Sequence, residues 1–294
     1  MSTPPAPRKH GIITQFQEEV LHAVFSISEA ESFALAGGTA LSEYYLGHRL
    51  SEDLDLFSFE ADAVPLLGER VMTDLPTILP GVTVSRSRRY PTFQGFLVTR
   101  SDGTLKVDIG VAAAPRLGDF DRVEGVNVLG ALDLFVDKLH AFYSRRAPRD
   151  AVDVWALVTI LKQDIADLEP LLFAKDQGML VDRLGWVDAF LAPTQAEEIV
   201  PPGLRSMMRV PLDDATLRSF LLREAESVTE RIAVPSRGGF VYDQPDGLES
   251  GPHSAVGSKN VEAIESPKDG TPASDLQFKG PKSRGLRGRE RFKR

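Results

Sequence analysis

The sequence predicts an α/β fold in which a mixed sheet with flanking helices is followed by a helical domain and a disordered C-terminal tail. First, β-like runs alternate with helical patterns before residue 115. Second, apolar residues recur at helical spacing from Ala131 onward. Third, residues 235–294 are rich in Pro, Gly and Ser and contain few large apolar side chains. The predicted parts are residues 1–115, 116–234 and 235–294.

The N-terminal part begins with an amphipathic helix, which the apolar spacing predicts at about residues 11–28. A strand-like run follows at 33–36 and leads into a Gly-Gly-Thr turn. The residues after the turn, 40–46, favour a helix, and a second strand is predicted at 53–59. The order strand, tight turn, helix and strand brings the turn and the start of the second strand into one region.

The rest of this part continues the same alternation. Residues 62–79 favour a helix that ends near Pro80-Gly81. Three β-like runs follow at 82–88, 92–99 and 105–111. An Asp-Gly pair separates the last two runs and indicates a hairpin. These runs complete the predicted mixed sheet.

The second part is predicted to be helical. One apolar stripe marks its first helix, which begins near Ala131, and Pro148 suits the start of the next helix. The stripe consists of Leu132, Phe135, Leu139 and Phe142. Further helices are predicted at 166–175, 178–190 and 212–232. The cleft between the sheet and these helices is the expected active site.

Composition limits the class of protein. The 294 residues are 42% hydrophobic and 26% charged, which is ordinary for a folded domain. With no cysteine, the chain has no disulfide framework and no thiolate nucleophile. No apolar run approaches the roughly 20 residues that span a bilayer, and residues 1–10 lack a signal-peptide pattern. We therefore expect a cytoplasmic protein without membrane contacts.

The net charge of −8 conceals a basic C-terminal end. Residues 279–294 contain eight Lys or Arg and a single acid, Glu290. The Arg-Gly spacing there suits non-specific contacts with phosphates, although such a tail is often simply solvated. The basic end is therefore compatible with an RNA partner without identifying one.

The chemistry is concentrated in residues 37–57. Gly37 and Gly38 would let backbone N–H groups approach an anion at the start of a helix, although most such turns are only turns. Asp53 and Asp55 are two apart in a strand, so their side chains point to the same side. Adjacent carboxylates repel one another unless a cation lies between them. Together these features predict a cleft for a polyphosphate and a metal ion.

The same residues resemble the first motif of the AbiEii/AbiGii family of nucleotidyltransferase-like toxins. In this sequence the motif reads Gly37-Gly38-Thr39 followed by Arg49-x-Ser51-x-Asp53-Leu54-Asp55. Three more segments follow in the family's order: Val107-Asp108-Ile109, a helix with Lys138, and Arg149-Asp150-x-x-Asp153. The chain departs from the family pattern before the motif lysine, where Leu132 replaces the usual acid and Asp133 follows it.

The resemblance implies a nucleotidyltransferase-type fold and a set of site residues. Asp53, Asp55 and Asp108 would be the ligands of Mg²⁺ or Mn²⁺, and Asp108 could instead be the general base. Lys138 would contact the triphosphate and not merely border the core. Asp150 would belong to the catalytic set, although Asp150 and Asp153 could also be acids favoured at a helix N-terminus. The implied nucleotide contacts are Gly37, Gly38, Thr39, Arg49, Ser51 and Lys138.

The resemblance also implies a function. The chain would be a metal-dependent nucleotidyltransferase and the toxin of a toxin–antitoxin or phage-defence (abortive-infection) system. It would transfer nucleotides from an NTP to an acceptor such as the 3′ end of tRNA, and its partners would include an antitoxin protein. Two alternatives stay open: transfer to a protein hydroxyl or small molecule, and a catalytically silent, antitoxin-like module that binds nucleotides.

Overall fold

A seven-stranded mixed sheet forms the centre of the protein, in the spatial order β3-β4-β5-β2-β1-β7-β6. The protein is described by a computed structural model, which covers residues 4–233. The tail predicted at 235–294 lies outside the described residues. The strands are β1 (Ala34–Ala36), β2 (Leu54–Ser58), β3 (Thr83–Tyr90), β4 (Phe93–Arg100), β5 (Gly103–Val111), β6 (Asp121–Val123) and β7 (Val126–Val128). The β2–β5 and β1–β7 pairs are parallel and the others are antiparallel.

Eleven α-helices lie in the described residues around and after the sheet. They are α1 (Gln15–Phe25), α2 (Gly37–Leu41), α3 (Ala63–Thr73), α4 (Leu75–Ile78), α5 (Ala131–Arg145), α6 (Pro148–Thr159), α7 (Ile165–Lys175), α8 (Gln177–Val181), α9 (Arg183–Leu191), α10 (Pro202–Met207) and α11 (Asp214–Ala233). A π-helical segment (Ser42–Leu46) continues α2 and ends at Gly47 in the left-handed conformation. The predicted fold class, a mixed sheet with flanking helices followed by helices, is confirmed.

Local interruptions explain where the helix predictions ran too long. The helix expected at 62–79 is two helices, which meet at Asp74, two residues before Pro76. Pro76 cannot donate a backbone hydrogen bond, so it suits the first turn of a new helix. The helix expected at 178–190 divides at Asp182, whose carboxylate accepts from the Gly185 backbone N–H. The short elements β6, β7 and α10 were not predicted.

One hydrophobic core extends from the sheet into the helices. Leu105, Val107 and Ile109 of β5 are buried on the sheet face that α3 covers. Among the helices, α5 packs on α6, α7 and α9, and α11 packs on α9 and α6. Phe142 and Trp186 meet edge to face with ring centroids 6.3 Å apart, as aromatic rings prefer. The domain boundary at residue 115 stays a prediction.

Candidate active site

A cleft of about 330 Å³ opens where β2 and β5 face α5. Glycines of the Gly-Gly-Thr turn form one wall, and α5, the start of α6 and α10 form the other. The lining residues are Ala36, Gly37, Gly38, Arg49, Ser51, Glu52, Asp53, Asp55, Phe57, Lys106, Asp108, Leu134, Asp137, Lys138, Ala141, Arg145, Arg149, Leu204 and Met207. Nearly every residue predicted for the site therefore lines one cavity.

Sheet register brings the three predicted carboxylates together. Asp55 and Asp108 are direct neighbours on the parallel strands β2 and β5. Residues paired in this way have side chains on the same face, so both carboxylates face the cleft. Asp53 lies one residue before β2 and two residues before Asp55. Parallel pairing of distant segments thus assembles an acidic floor that spacing along the chain could only suggest.

Lys106 is a cleft residue that we did not predict. Its Nζ lies 2.6 Å from Oδ2 of Asp108 and 3.3 Å from Oδ2 of Asp53, so the ammonium bridges the two carboxylates. Burial alone would lower the pKa of Lys106, but Asp108 and Asp53 outweigh it and raise this pKa. The available signal was its position two residues before Asp108 in a strand, which places both side chains on one face.

Asp55 lies on the same floor without a cationic contact. No hydrogen bond or ion pair links its carboxylate to another residue in the described part of the chain. Burial, then the charge of Asp108 and to a lesser extent that of Asp53, raises the pKa of Asp55 to about 6, although Lys106 opposes this. A carboxylate that is costly to ionise and lacks a partner is one that a bound cation would stabilise.

The Gly-Gly-Thr turn fits closely over the acidic floor. Gly37 has a φ of 65°, and a methyl group there would lie 2.0 Å from Oδ2 of Asp55. A methyl group at Gly38 would lie 2.8 Å from Nη2 of Arg49 and 3.2 Å from Oγ of Ser51. Only glycine allows both the left-handed turn and these close approaches. The Thr39 hydroxyl, which is buried, donates to the backbone carbonyl of Asp53.

Asp153 joins three basic side chains beneath the cleft. Its Oδ1 accepts from Nε of Arg49 at 2.7 Å, and its Oδ2 accepts from Nη2 of Arg49 at 2.8 Å. Lys138 Nζ lies 2.8 Å from Oδ2, and His48 Nε2 lies 2.7 Å from Oδ1. Asp153 and His48 are fully buried, and Arg49 is 3% exposed. Asp153 therefore orients both Lys138 and Arg49.

Electrostatics in this buried cluster favour an ionised Asp153 and a neutral His48. Burial alone would raise the pKa of Asp153, but the charges of Lys138 and Arg49, with their hydrogen bonds, hold it well below its usual range. Burial lowers the pKa of His48 despite the neighbouring carboxylate. The cluster thus holds the cations Arg49 and Lys138 around the ionised Asp153, and both cations also line the cleft.

Asp150 lies below the cleft and not on its surface. Its Oδ1 accepts from Lys138 Nζ at 3.2 Å and from Arg145 Nη2 at 2.9 Å, while Oδ2 is buried without a hydrogen-bond partner. Lys138 is 7% exposed and reaches the cleft between its two acidic partners. Arg149 lines the cleft and makes no ion pair with a described residue. Asp150 is thus in a position to orient Lys138.

Asp133, the acid that stands one position after the family's usual acid, holds a loop in place and does not belong to the cleft. Asp133 is fully buried on α5 and accepts from the backbone N–H groups of Leu117 at 3.1 Å and Gly118 at 3.0 Å. Lys175 Nζ lies 2.7 Å from its Oδ1. These bonds fasten the connection between β5 and β6 to the helices. Asp133 does not line the cleft.

The residues present suit a divalent cation once Lys106 moves aside. Within residues 4–233, no three Asp, Glu, His or Cys side chains are gathered as a ready-made metal site. The three cleft carboxylates nevertheless offer the oxygen ligands that Mg²⁺ and Mn²⁺ prefer. Asp108 Oδ1 is buried without a hydrogen-bond partner, and the Asp55 carboxylate is also unpaired. These oxygen ligands therefore fit a divalent cation, and the Lys106 ammonium occupies the position between Asp53 and Asp108 where such a cation would bind.

Eight of the ten residues predicted for the site line the cleft. The cleft contains Gly37, Gly38, Arg49, Ser51, Asp53, Asp55, Asp108 and Lys138 from the prediction. Thr39 and Asp150 contact cleft residues from behind, so any direct contact with a nucleotide stays a prediction for them. The charged lining residues that were not predicted are Lys106, Glu52, Asp137 and Arg145. Two of these directly precede predicted residues, Asp53 and Lys138, in the sequence.

Comparisons with known proteins agree with the ordered motifs. A family model described as "Nucleotidyl transferase AbiEii toxin, Type IV TA system" matches residues 20–246. This chain belongs to the AbiEii nucleotidyltransferase toxin family. The AbiEii match includes the Gly-Gly-Thr turn, all three carboxylates and the lysine helix, so the predicted family is confirmed. The chain is accordingly a nucleotidyltransferase, for which the family implies an NTP substrate.

Individual relatives of this AbiEii chain are more distant. The uncharacterized protein aq_aa25 of Aquifex aeolicus is 29% identical over 161 residues, which are 54% of this chain and 73% of that protein. The solved structure of MenT4, the nucleotidyltransferase toxin Rv2826c from Mycobacterium tuberculosis H37Rv, has a TM-score of 0.50 at 18% identity. That match covers 74% of this chain and 91% of MenT4 and indicates a shared fold. The crystal structure of JHP933 from Helicobacter pylori has a TM-score of 0.47 at 19% identity, and that match covers 74% of this chain and 90% of JHP933.

No helix within residues 4–233 combines the length and apolar character needed to cross a bilayer.

Proposed function

We propose that this AbiEii-family protein is a metal-dependent nucleotidyltransferase that adds nucleotides from an NTP to the 3′ end of an RNA and releases pyrophosphate, with tRNA as the foremost candidate. The observation that carries the proposal is the cleft itself, where Asp53, Asp55 and Asp108 lie on one side and Lys138 on the other. A carboxylate cluster opposite a buried lysine suits a triphosphate with its counter-ions.

Asp53, Asp55 and Asp108 would hold Mg²⁺ or Mn²⁺. When bound, such ions neutralise the triphosphate and make an acceptor hydroxyl more acidic. For this to happen, Lys106 must release Asp53 and Asp108, and its ammonium would then be free to turn towards the phosphates. The side chain is 37% exposed, so the movement requires little repacking. Lys106 thus serves as the counter-ion of the acidic floor in the absence of metal.

The NTP would lie between the glycine turn and α5. Lys138 offers a cation to the phosphates, and its orientation is fixed by Asp150 and Asp153 at 3.2 and 2.8 Å. The absence of side chains at Gly37 and Gly38 lets the ligand approach the backbone closely. Arg49 is held by Asp153 and contributes its positive potential from beneath Gly38. Ser51 and Arg149 are the remaining polar contacts at the rim.

The test is to incubate the pure protein and magnesium with each labelled NTP and total RNA. We expect label in RNA and, if tRNA is the acceptor, label confined to its 3′ end. Asp53→Asn, which removes one proposed ligand, should abolish labelling, and the exposed Asp62→Asn should not. Label in protein alone would refute the RNA acceptor and favour transfer to a protein hydroxyl. Full activity of Asp53→Asn would refute the metal site.

The proposed role in the cell is that of a toxin restrained by an antitoxin in a phage-defence system. The family description, which names a toxin of a type IV toxin–antitoxin system, supports the toxin and its antitoxin, and the phage-defence role is a further part of the proposal. Induced expression of the wild-type chain should slow growth, and expression of Asp53→Asn should not. Equal growth inhibition by both would separate toxicity from nucleotidyl transfer.

A further inference from the structure

The outer part of the sheet has an uncovered face that continues the floor of the cleft. Four positions form a row across neighbouring strands: Asp55, Asp108, Gly95 and Arg88. Paired residues share a face, so the row begins at the proposed metal ligands and ends at Arg88. Strands lie about 4.8 Å apart, which places Arg88 roughly 10 Å from Asp108. The surface beyond the cleft is therefore directly accessible from the reacting centre.

A β-bulge directs Arg88 to this face. Arg86 pairs with Phe96, but Arg88 pairs with Gly95, so Ser87 is an extra residue in β3. Arg86 points to the opposite face, where it donates to Glu69 of α3. Without the bulge, Arg88 would follow Arg86 to that same face, because side chains two apart in a strand point together. Bulges near active sites commonly redirect a side chain in this way.

Arg88 has no intramolecular partner there. It makes no hydrogen bond or ion pair with a residue in the described part of the chain, whereas Arg86 and Arg89 both bind Glu69. Beside it, the Tyr90 side chain is 61% exposed, and Tyr90 pairs with Phe93 in the next row. Gly95 carries no side chain, and the small Ser87 side chain lies over it, with its Oγ 2.9 Å from where a methyl group at Gly95 would be. The surface between Arg88 and Asp108 is therefore low and polar. An unpaired cation and an exposed aromatic ring thus lie beside the cleft.

We propose that this face, the acceptor face, binds the single-stranded 3′ end of the acceptor RNA, with Arg88 on a phosphate and Tyr90 stacked on a base. Proteins that hold single-stranded nucleic acid combine cations for the backbone with aromatic rings for the bases. Beyond the acidic floor of the cleft, the other side chains on this face are uncharged apart from Lys106, so no acid lies directly beside Arg88 and Tyr90 to repel a phosphate. They are Thr83, Ser85, Ser87, Phe93, Leu97, Thr99 and Thr104. This inference rests on the proposed function, because it gives the place where the acceptor RNA of that reaction would bind.

The test measures RNA binding without transfer. A short 5′-labelled single-stranded RNA with a free 3′ hydroxyl is titrated with protein in magnesium and without NTP, and fluorescence anisotropy is recorded. Arg88→Ala should weaken binding roughly tenfold or more and reduce the salt slope by about 0.7. Tyr90→Ala should weaken it roughly 5- to 150-fold, and Tyr90→Phe should retain the affinity.

Arg89→Ala is the matched control, because Arg89 is the next residue in β3, is exposed, and points to the opposite face. It should bind RNA like the wild type, and NTP affinity should be unchanged in Arg88→Ala. Equal RNA affinity of Arg88→Ala and Arg89→Ala would overturn the acceptor face. If the wild type still labelled RNA in that case, the proposed function would stand. Labelling of protein alone, lost in Arg88→Ala but not in Arg89→Ala, would overturn RNA as the occupant.

Discussion

Replacing Asp55 by asparagine should stabilise the metal-free protein while abolishing nucleotidyl transfer. The pKa of Asp55 is raised from 3.8 to about 6, chiefly by burial and by Asp108. The folded protein therefore holds this proton more tightly than the unfolded chain does. Ionising Asp55 costs folding stability above pH 6, and the cost disappears as the pH falls through 6 towards 3.8. Asparagine has a similar shape and no charge to desolvate.

The size of the effect follows from linkage. A shift from 3.8 to about 6 corresponds to about 3 kcal/mol at pH 7, about 1.6 kcal/mol at pH 5 and about 0.6 kcal/mol at pH 4. Asp55 is partly exposed at the cleft floor, and water there screens its charge, so these values are upper bounds. We expect Asp55→Asn to raise the free energy of unfolding by about 1–3 kcal/mol at pH 7 and by less than about 1 kcal/mol at pH 4.

Urea denaturation in EDTA measures this difference between pH 4 and pH 7. The fluorescence of Trp155 and Trp186, both buried or nearly so, reports unfolding. Asp62→Asn is the control, because Asp62 is exposed and its side chain makes no capping bond, and it should show no such pH dependence. Mn²⁺ should stabilise the wild type more than Asp55→Asn, since a bound ion relieves the same repulsion.

A variant less stable than the wild type at pH 7 would refute the reasoning. So would a stability difference that grows as the pH falls, since that would mean that the Asp55 charge is favourable in the folded protein. Retained transfer activity in Asp55→Asn would leave the electrostatics intact but remove Asp55 from the proposed metal ligands.

Four further variants test neighbouring parts of the cleft. Asp53→Asn should change stability by no more than about 1 kcal/mol in urea denaturation, because its pair with Lys106 is partly exposed and screened by water, and it should abolish transfer. Lys138→Ala should weaken NTP binding about 10- to 150-fold in a direct titration. It should also lower the melting temperature, because two buried carboxylates lose a partner. Asp153→Asn should cost about 3–5 kcal/mol of stability at pH 7, seen by urea denaturation, because Arg49 loses its buried anion. The loss should be constant from pH 8 to pH 5, because the lowered pKa of Asp153 keeps it ionised throughout that range. Lys106→Met should tighten Mn²⁺ binding, measured from free Mn²⁺ by electron paramagnetic resonance, because the ammonium no longer competes for the carboxylates. Unchanged Mn²⁺ affinity would contradict that competition.

The strands and helices that carry the site followed from local patterns. The period-two runs at 92–99 and 105–111 with an Asp-Gly turn gave the β4–β5 hairpin, and the stripe on α5 gave the helix of Lys138. Elements of three residues, such as β6 and β7, were missed because so short a run has no readable period. The helices predicted at 62–79 and 178–190 were too long, because the apolar pattern continues across the proline and the aspartate cap that divide them.

By itself, the sequence determined the fold class, the family and the placing of Asp53 and Asp55 on one side of a strand, because these depend on residue type and spacing. Only the tertiary structure decided which distant residues meet. Parallel pairing set Asp55 beside Asp108, burial gave Arg49 and Lys138 a common anion in Asp153, and one bulge turned Arg88 towards the cleft. Such contacts depend on register and packing between segments far apart in the chain, and no local pattern encodes them.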